Sequence, residues 1–208
     1  MAAPLNPQAI VSHIQRIKAE SSDCSVVQVP QLLRVFRELY KLVACLGKVF
    51  SIALSDITEK CDVIEAILQR SALVETEATV QRLIKLERGT KALDKHPGDT
   101  TTRKLLALVR SLDFVAKLLQ ELQGSKELSY NVWDAYHASI EKYHSKVVVN
   151  AVYVATFAVP YKSDFFKQLN LKPTQDPLLY CKELSEQMNE LFIGLQKTYA
   201  DEKCWDMA

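Results

Sequence analysis

An all-α fold is predicted by three observations. Apolar residues recur at helical spacing in successive stretches along the chain. Five glycines and seven prolines in 208 residues are too few for the tight turns that sandwiches and barrels need. Helix start and stop signals also bracket the periodic stretches, as with the threonines at 100–102 and Gly124. At this length one domain, residues 1–208, with a substantial core is expected.

The first helix is marked by Ile10, Val11, Ile14 and Ile17. A polar loop and Pro30 separate it from a second stripe, Leu32, Leu33, Phe36, Leu39, Tyr40 and Val43, predicted to end near Gly47. A third helix is predicted from about Val49 to Gln69, with Ile52, Ala53, Ile57, Ile64 and Leu68 on its apolar side. Val80, Leu83, Ile84 and Leu86 give a fourth, which fades into the loop Asp94-Lys95-His96-Pro97-Gly98. Asp99 and Thr100 to Thr102 are N-cap candidates for a long fifth helix, whose core stripe runs from Leu105 to Leu122. Ser129 is a cap candidate for a helix from Tyr130 into Tyr143. Phe165, Phe166 and Leu169 suggest a short helix. Asp176-Pro177, a cap followed by proline at the first helical position, opens the last one.

The most apolar stretch, Tyr143 to Lys162, is expected to be the element around which the rest packs. Its valines favour strand as much as helix, and the helical surroundings favour helix. The lone His144 at its entrance leaves two readings open: an incidental core histidine, or a polar group at the mouth of an apolar cavity.

A net charge of +1, from 26 basic and 25 acidic residues, gives no argument for a nucleic-acid partner. Cys24, Cys45, Cys61, Cys181 and Cys204 are odd in number, scattered and never spaced as a CxxC pair. Neither a disulfide framework nor a zinc site is suggested, and reduced thiols in the cytoplasm are expected. Met1-Ala2-Ala3-Pro4 lacks the plan of a signal peptide. The run Val147–Val159, interrupted by Asn150 and Thr156, is too short to span a bilayer. No phosphate loop, HExxH or GxSxG is present, so no catalytic residue, metal or cofactor is assigned and an enzyme is not expected.

A polar set remains on the predicted helices. Asp56 and Lys60 lie four apart on one face, where the bland reading is a solvated ion pair. Arg103 and Arg110 are seven apart with Ala107 between them. A basic residue in the first helical turn opposes the helix dipole unless an anion compensates it, so Arg103 hints at an anionic partner.

With these elements placed, the motifs resemble those of the glycolipid transfer protein superfamily over nearly the whole chain. They are Leu46-Gly47-Lys48-Val49-Phe50 leading to Ser55-Asp56-Ile57-Thr58-Glu59-Lys60; Thr102-Arg103-Lys104-Leu105-Leu106; Ala135-Tyr136 leading to Lys142-Tyr143-His144; and Val159-Pro160-Tyr161-Lys162-Ser163-Asp164-Phe165. The resemblance implies a two-layer α-helical sandwich of about eight helices around a hydrophobic lipid pocket, with no enzymatic activity. It implies that Asp56 accepts from the amide N–H of a sphingolipid and that His144 donates to the amide carbonyl. Glycolipid carriers of the family place asparagine at position 60 and a sugar-stacking tryptophan at 107; phosphate carriers place lysine at 60 and arginines at 103 and 107. Lys60 and Arg103 therefore resemble the branch that carries ceramide-1-phosphate.

Ala107 departs from that pattern, and Arg110, Lys104 and Arg88 are the nearest substitute cations. Arg110 matches a basic residue of both branches, so it is expected to be structural first and a member of the headgroup set second. The implied pocket is lined by Phe50, Leu54, Phe114, Val115, Leu118, Val148, Val152 and Phe157. Transient, peripheral docking at a membrane is expected to rest on Tyr161, which matches an interfacial aromatic of the family, and on attraction of Lys162 and Lys146 to anionic headgroups, Lys146 standing where many relatives carry an interfacial tryptophan. The expected function is intermembrane transfer of a phosphorylated sphingolipid; glycosphingolipid transfer, or a lipid-sensing adaptor with weak transfer, are the alternatives.

Overall fold

A computed structural model describes residues 5–71, 77–95 and 97–207. Among these residues are ten α-helices and no strand. They are α1 (Pro7–Glu20), α2 (Val29–Ala44), α3 (Ser51–Arg70), α4 (Val80–Gly89), α5 (Ala92–Lys95), α6 (Thr101–Glu121), α7 (Leu128–Ser139), α8 (Lys146–Thr156), α9 (Lys162–Gln168) and α10 (Pro177–Asp201). The short α5 occupies part of the expected loop 94–98, and His96 of that loop lies outside the described residues.

Helices α1, α2 and α3 pack side by side in chain order, and α10, α6 and α7 form a second row. Contacts of α3 with α6 and of α1 with α10 join the rows. The result is the two-layer helical sandwich, with α4 resting on α6 and α10, and α8 on α7. The element at its centre is α6. Leu105, Leu108, Val109, Leu112, Val115 and Leu119 are buried on every side of it, the mark of a helix enclosed by neighbours rather than one floating on a surface.

Its N-terminus is closed by two devices. Thr100 Oγ1 accepts from the Arg103 N–H at 3.2 Å. The Glu87 carboxylate, from α4, accepts from the Thr101 and Thr102 N–H groups at 2.7 and 2.9 Å. Glu87 thereby supplies the negative charge that the first turn calls for. The mismatch between Arg103 and the helix dipole is answered within the protein, so it does not by itself point to a ligand.

Asp176 caps α10 as expected, its Oδ1 accepting from the Leu178 N–H at 2.8 Å. The expected cap at Ser129 is not formed: α7 begins at Leu128, with Glu127 as an N-cap that makes no side-chain bond. The helix predicted from Tyr130 into Tyr143 ends at Ser139, and a 3-10 turn, Glu141–Tyr143, leads to His144 in extended conformation.

The stretch from Tyr143 to Lys162 is not the centre of packing. Its valine run is helical, with Ser145 as the cap of α8, yet Thr156 is the one residue of α8 that is buried. Val147 is 78% and Val154 67% exposed. A helix apolar on all faces invites a central position, but α8 rests a flank on α7 and turns another face to a cleft between the layers. No helix of the described residues is long and apolar enough to cross a membrane.

The two rows approach closely where α10 meets the turn after α1. A Cβ at Gly194 would stand 2.6 Å from Asp23 O, Cys24 Cβ and Cys24 O, and backbone cannot yield as a flexible side chain does. Gly194→Ala is expected to cost roughly 1–3 kcal/mol, read as a lowered urea midpoint at unchanged m-value; an unchanged midpoint would show that the rows can separate without penalty.

Candidate functional site

A cleft of about 790 Å³ opens between the layers. Its inner wall is apolar: Phe36, Leu39 and Val43 from α2, Phe50 from the turn before α3, Phe114 and Val115 from α6, and Val148 and Val152 from α8. Its mouth is polar, edged by Asp56 and Lys60 from α3, Arg103 and Lys104 from α6, Tyr136 from α7, and His144. Helical spacing explains the division. On α3 the positions 53, 56, 57 and 60 share one face, and on α6 the positions 103, 107, 110 and 114 do. Each helix therefore turns charge toward the mouth and hydrocarbon toward the interior.

Asp56 and Lys60 form the expected i,i+4 ion pair. With the carboxylate 59% exposed, the pair contributes only a few tenths of a kcal/mol, so a ligand can replace it at little cost. His144 faces it from the other side of the mouth. Its Nδ1 lies 2.9 Å from the Tyr136 phenol oxygen. Burial pushes the Tyr136 phenol up to about 12, so this hydroxyl keeps its proton and donates to Nδ1. The imidazole proton then resides on Nε2, a tautomer assigned from the network. Burial lowers the His144 pKa, and the Asp56 carboxylate offsets part of that effect. The site thus presents a carboxylate acceptor, a neutral N–H donor and cations around one opening.

Of the three substitute cations for position 107, Arg88 is elsewhere: it bonds the Glu202 carboxylate at 2.8 Å and Cys204 Sγ at 3.5 Å. Lys104 borders the cleft and donates to Asp99 O at 2.9 Å. Arg110 also borders it, buried, with its guanidinium 3.7 Å over the Tyr143 ring.

Three of the expected wall residues do not line the cleft. Leu54 is buried on another face of α3, sharing it with Cys61. Leu118 continues the α6 stripe one turn past Phe114 and Val115, where the core closes around it. Phe157 is 71% exposed, edge-on to Tyr153 on the outside of α8. Conversely, Phe36, Leu39 and Val43 of α2 line the cleft without having been expected to. They belong to the second amphipathic stripe, but no sequence signal separates a helix face turned to a cleft from one turned to core.

The docking residues divide. Tyr161 is 76% exposed, and Lys146 is exposed at the start of α8. Lys162 is turned inward instead: its ammonium donates to Gly124 O at 2.7 Å, and burial lowers its pKa. It ties α9 to the loop after α6, whose main-chain oxygens at Gly124 and Lys126 it serves as donor.

A helical sandwich with an apolar cleft and a polar rim defines a class of lipid-binding protein. Residues 27–171 match the family model described as glycolipid transfer protein, and the chain belongs to that family, whose members are lipid transfer proteins. It is similar to the ceramide-1-phosphate transfer protein of Mus musculus, 28% identical over 182 residues that cover 83% of each chain. The crystal structure of the mouse ceramide-1-phosphate transfer protein in its apo-form superposes with a TM-score of 0.84 at 25% identity, covering 97% of this chain and 98% of that one. The human ceramide-1-phosphate transfer protein in complex with 12:0 ceramide-1-phosphate gives 0.86 at 22% identity, covering 99% and 100%, and at that identity supports the fold alone.

The His144 shift carries a pH signature. The unfolded chain, with histidine near 6.5, binds more protons than the folded one just below that pH, so stability is lost as pH falls through the window between the two pKa values. His144→Gln removes this contribution while leaving that of His13, also lowered, in place. The gap in unfolding midpoint between wild type and variant is expected to narrow from pH 7.5 to 5; a constant gap would refute the shift.

Proposed function

We propose that this protein moves a phosphorylated sphingolipid, ceramide-1-phosphate, between membranes without chemical change, the whole chain acting as one domain. The observation that carries the reading is the convergence of Lys60 from α3 and Arg103 from α6 at the mouth of one apolar cleft, beside Asp56 and His144. Charge-assisted bonds to phosphate are the strongest use of lysine and arginine in this arrangement. Ala107, also at the rim, offers no ring face for a sugar, which favours phosphate over a glycolipid headgroup.

The cleft supplies what transport needs. Each methylene left in water costs about 0.8 kcal/mol, so a dozen of them hold a lipid in its bilayer by roughly 10 kcal/mol. At about 790 Å³ the cleft lies within the usual range of ligand pockets and covers such chains with hydrocarbon. At the mouth, binding exchanges bonds. Asp56 gives up the Lys60 ammonium and accepts from the sphingolipid amide N–H. Neutral His144 donates from Nε2 to the amide carbonyl, and Lys60 turns to the phosphate together with Arg103. Nothing in this exchange breaks a covalent bond.

Docking rests on Tyr161 and Lys146, joined by the exposed Phe157 and Ile52. Apolar side chains dominate this set, and Lys162, occupied by main-chain carbonyls, belongs to the fold.

Two measurements test the reading. In a vesicle assay with matched acyl chains, ceramide-1-phosphate is expected to move faster than glucosylceramide, and Lys60→Ala to slow it about tenfold or more. Equal or faster glycolipid movement would sink the phosphate assignment, and rates near background with lipid retained on purification would favour an adaptor. Lys162→Ala is expected to lower thermal stability and leave the salt dependence of vesicle binding unchanged; a flatter salt dependence would return Lys162 to the docking surface.

A further inference from the structure

Ala107 stands four residues after Arg103 and three before Arg110, and all three border the cleft. Positions 103 and 110 are about 10 Å apart along a helix axis, so a methyl group between them leaves a notch in the rim. Arg110, at the inner side of that notch, is 5% exposed. Burying a guanidinium is costly unless a negative charge accompanies it. The groups in direct contact with it are neutral: its Nη2 donates to the main-chain oxygens of Trp205 and, at 3.2 Å, Met207, and its face lies on the Tyr143 ring; the Asp206 carboxylate offsets only part of the cost, since burial still lowers the Arg110 pKa. Its Nε has no acceptor among the described residues. Guanidinium N–H groups lie in the plane of the group, so stacking on Tyr143 does not use that edge, and the buried Nε N–H is left without an acceptor beside the cleft.

We propose that Arg110 is the second phosphate-binding guanidinium of this chain, reached through the notch at Ala107. The phosphomonoester settles along α6 between Arg103 and Arg110, deeper than a side chain reaching out from position 107 would hold it, with Lys60 closing from α3. This rests on the phosphate reading above and adds the residue that completes it. Arg110 then has two duties, bracing the C-terminal turn through Nη2 and receiving the phosphate through Nε. The same guanidinium also borders a separate pocket of about 180 Å³ together with Lys142. The competing source of the same chemistry is therefore a free phosphate ion.

Trp205, whose ring is 5.6 Å from the guanidinium, reports on binding in a Trp133→Phe background. Ceramide-1-phosphate, uncharged ceramide of the same chain length and inorganic phosphate are titrated into wild type, Arg110→Gln and Arg110→Lys, each with and without Ala107→Arg. Arg110→Gln is expected to weaken ceramide-1-phosphate binding about tenfold to a hundredfold and leave ceramide unaffected. Ala107→Arg is expected to restore most of that loss while adding little to wild type. If Arg110→Gln does not fold, Arg110→Lys, which keeps the charge but lacks Nε, is expected to lose affinity for the phosphate lipid alone. Equal losses for both lipids, or no rescue by Ala107→Arg, would reduce Arg110 to a brace for the C-terminal turn and overturn the proposal. A response to millimolar inorganic phosphate as large as that to the lipid would also overturn it, assigning Arg110 to a free-anion site. Wild type binding ceramide as tightly as ceramide-1-phosphate would instead defeat the phosphate reading itself.

Discussion

The burial of α6 is the constraint on which the other features depend. This helix meets α10, α7, α3 and α4, and its buried positions run from Thr101 to Leu119. Because it cannot rotate without disturbing both layers, the face that borders the cleft is fixed in direction. That face carries Arg103, Ala107, Arg110 and Phe114 into the cleft. The carboxylate of Glu87 at the first turn sets where the helix starts, and so how far along the cleft each of these side chains stands. A polar capping contact and a hydrophobic core thus combine to place charge above hydrocarbon.

The cleft mouth is assembled from interactions of low individual strength, and this suits a carrier. The Asp56–Lys60 pair is partly solvated and exchanges readily. The His144–Tyr136 bond joins two groups whose ionisation is opposed by burial. A transport protein must release what it binds, and in the proposed exchange the bonds to the lipid replace bonds of similar quality within the protein. The apolar cleft supplies most of the holding energy, and a bilayer offers the same energy at the point of delivery.

Much of the site is legible in residue spacing alone. Asp56 and Lys60 at i,i+4 must share a helix face, and Arg103, Ala107 and Arg110 at i, i+4 and i+7 must share another. The cap at Asp176 follows from local chemistry. Other features depend on neighbours. By composition alone the valine-rich run reads as the centre of a core, and the family resemblance instead makes it a cleft wall; α8 is packed on one flank, turns Val148 and Val152 to the cleft and exposes other faces. Leu54 and Leu118 read as cleft wall because apolar residues look alike from within one helix. Lys162 reads as a free surface cation because no local pattern reveals that it reaches the carbonyl of Gly124, 38 residues earlier.

The amino-acid sequence by itself determined the helical class, the bounds of most helices and the residues that share each helix face, because these follow from periodicity, capping and backbone sterics within a few residues. Its motifs also carried the resemblance to the family. Only the tertiary structure decided which faces meet: that α2 contributes Phe36, Leu39 and Val43 to the cleft, that the Tyr136 hydroxyl meets Nδ1 of His144, and that Arg110 is buried against Tyr143 and the main chain of Trp205. Such contacts join residues far apart in the chain, and packing shape, not local preference, selects them.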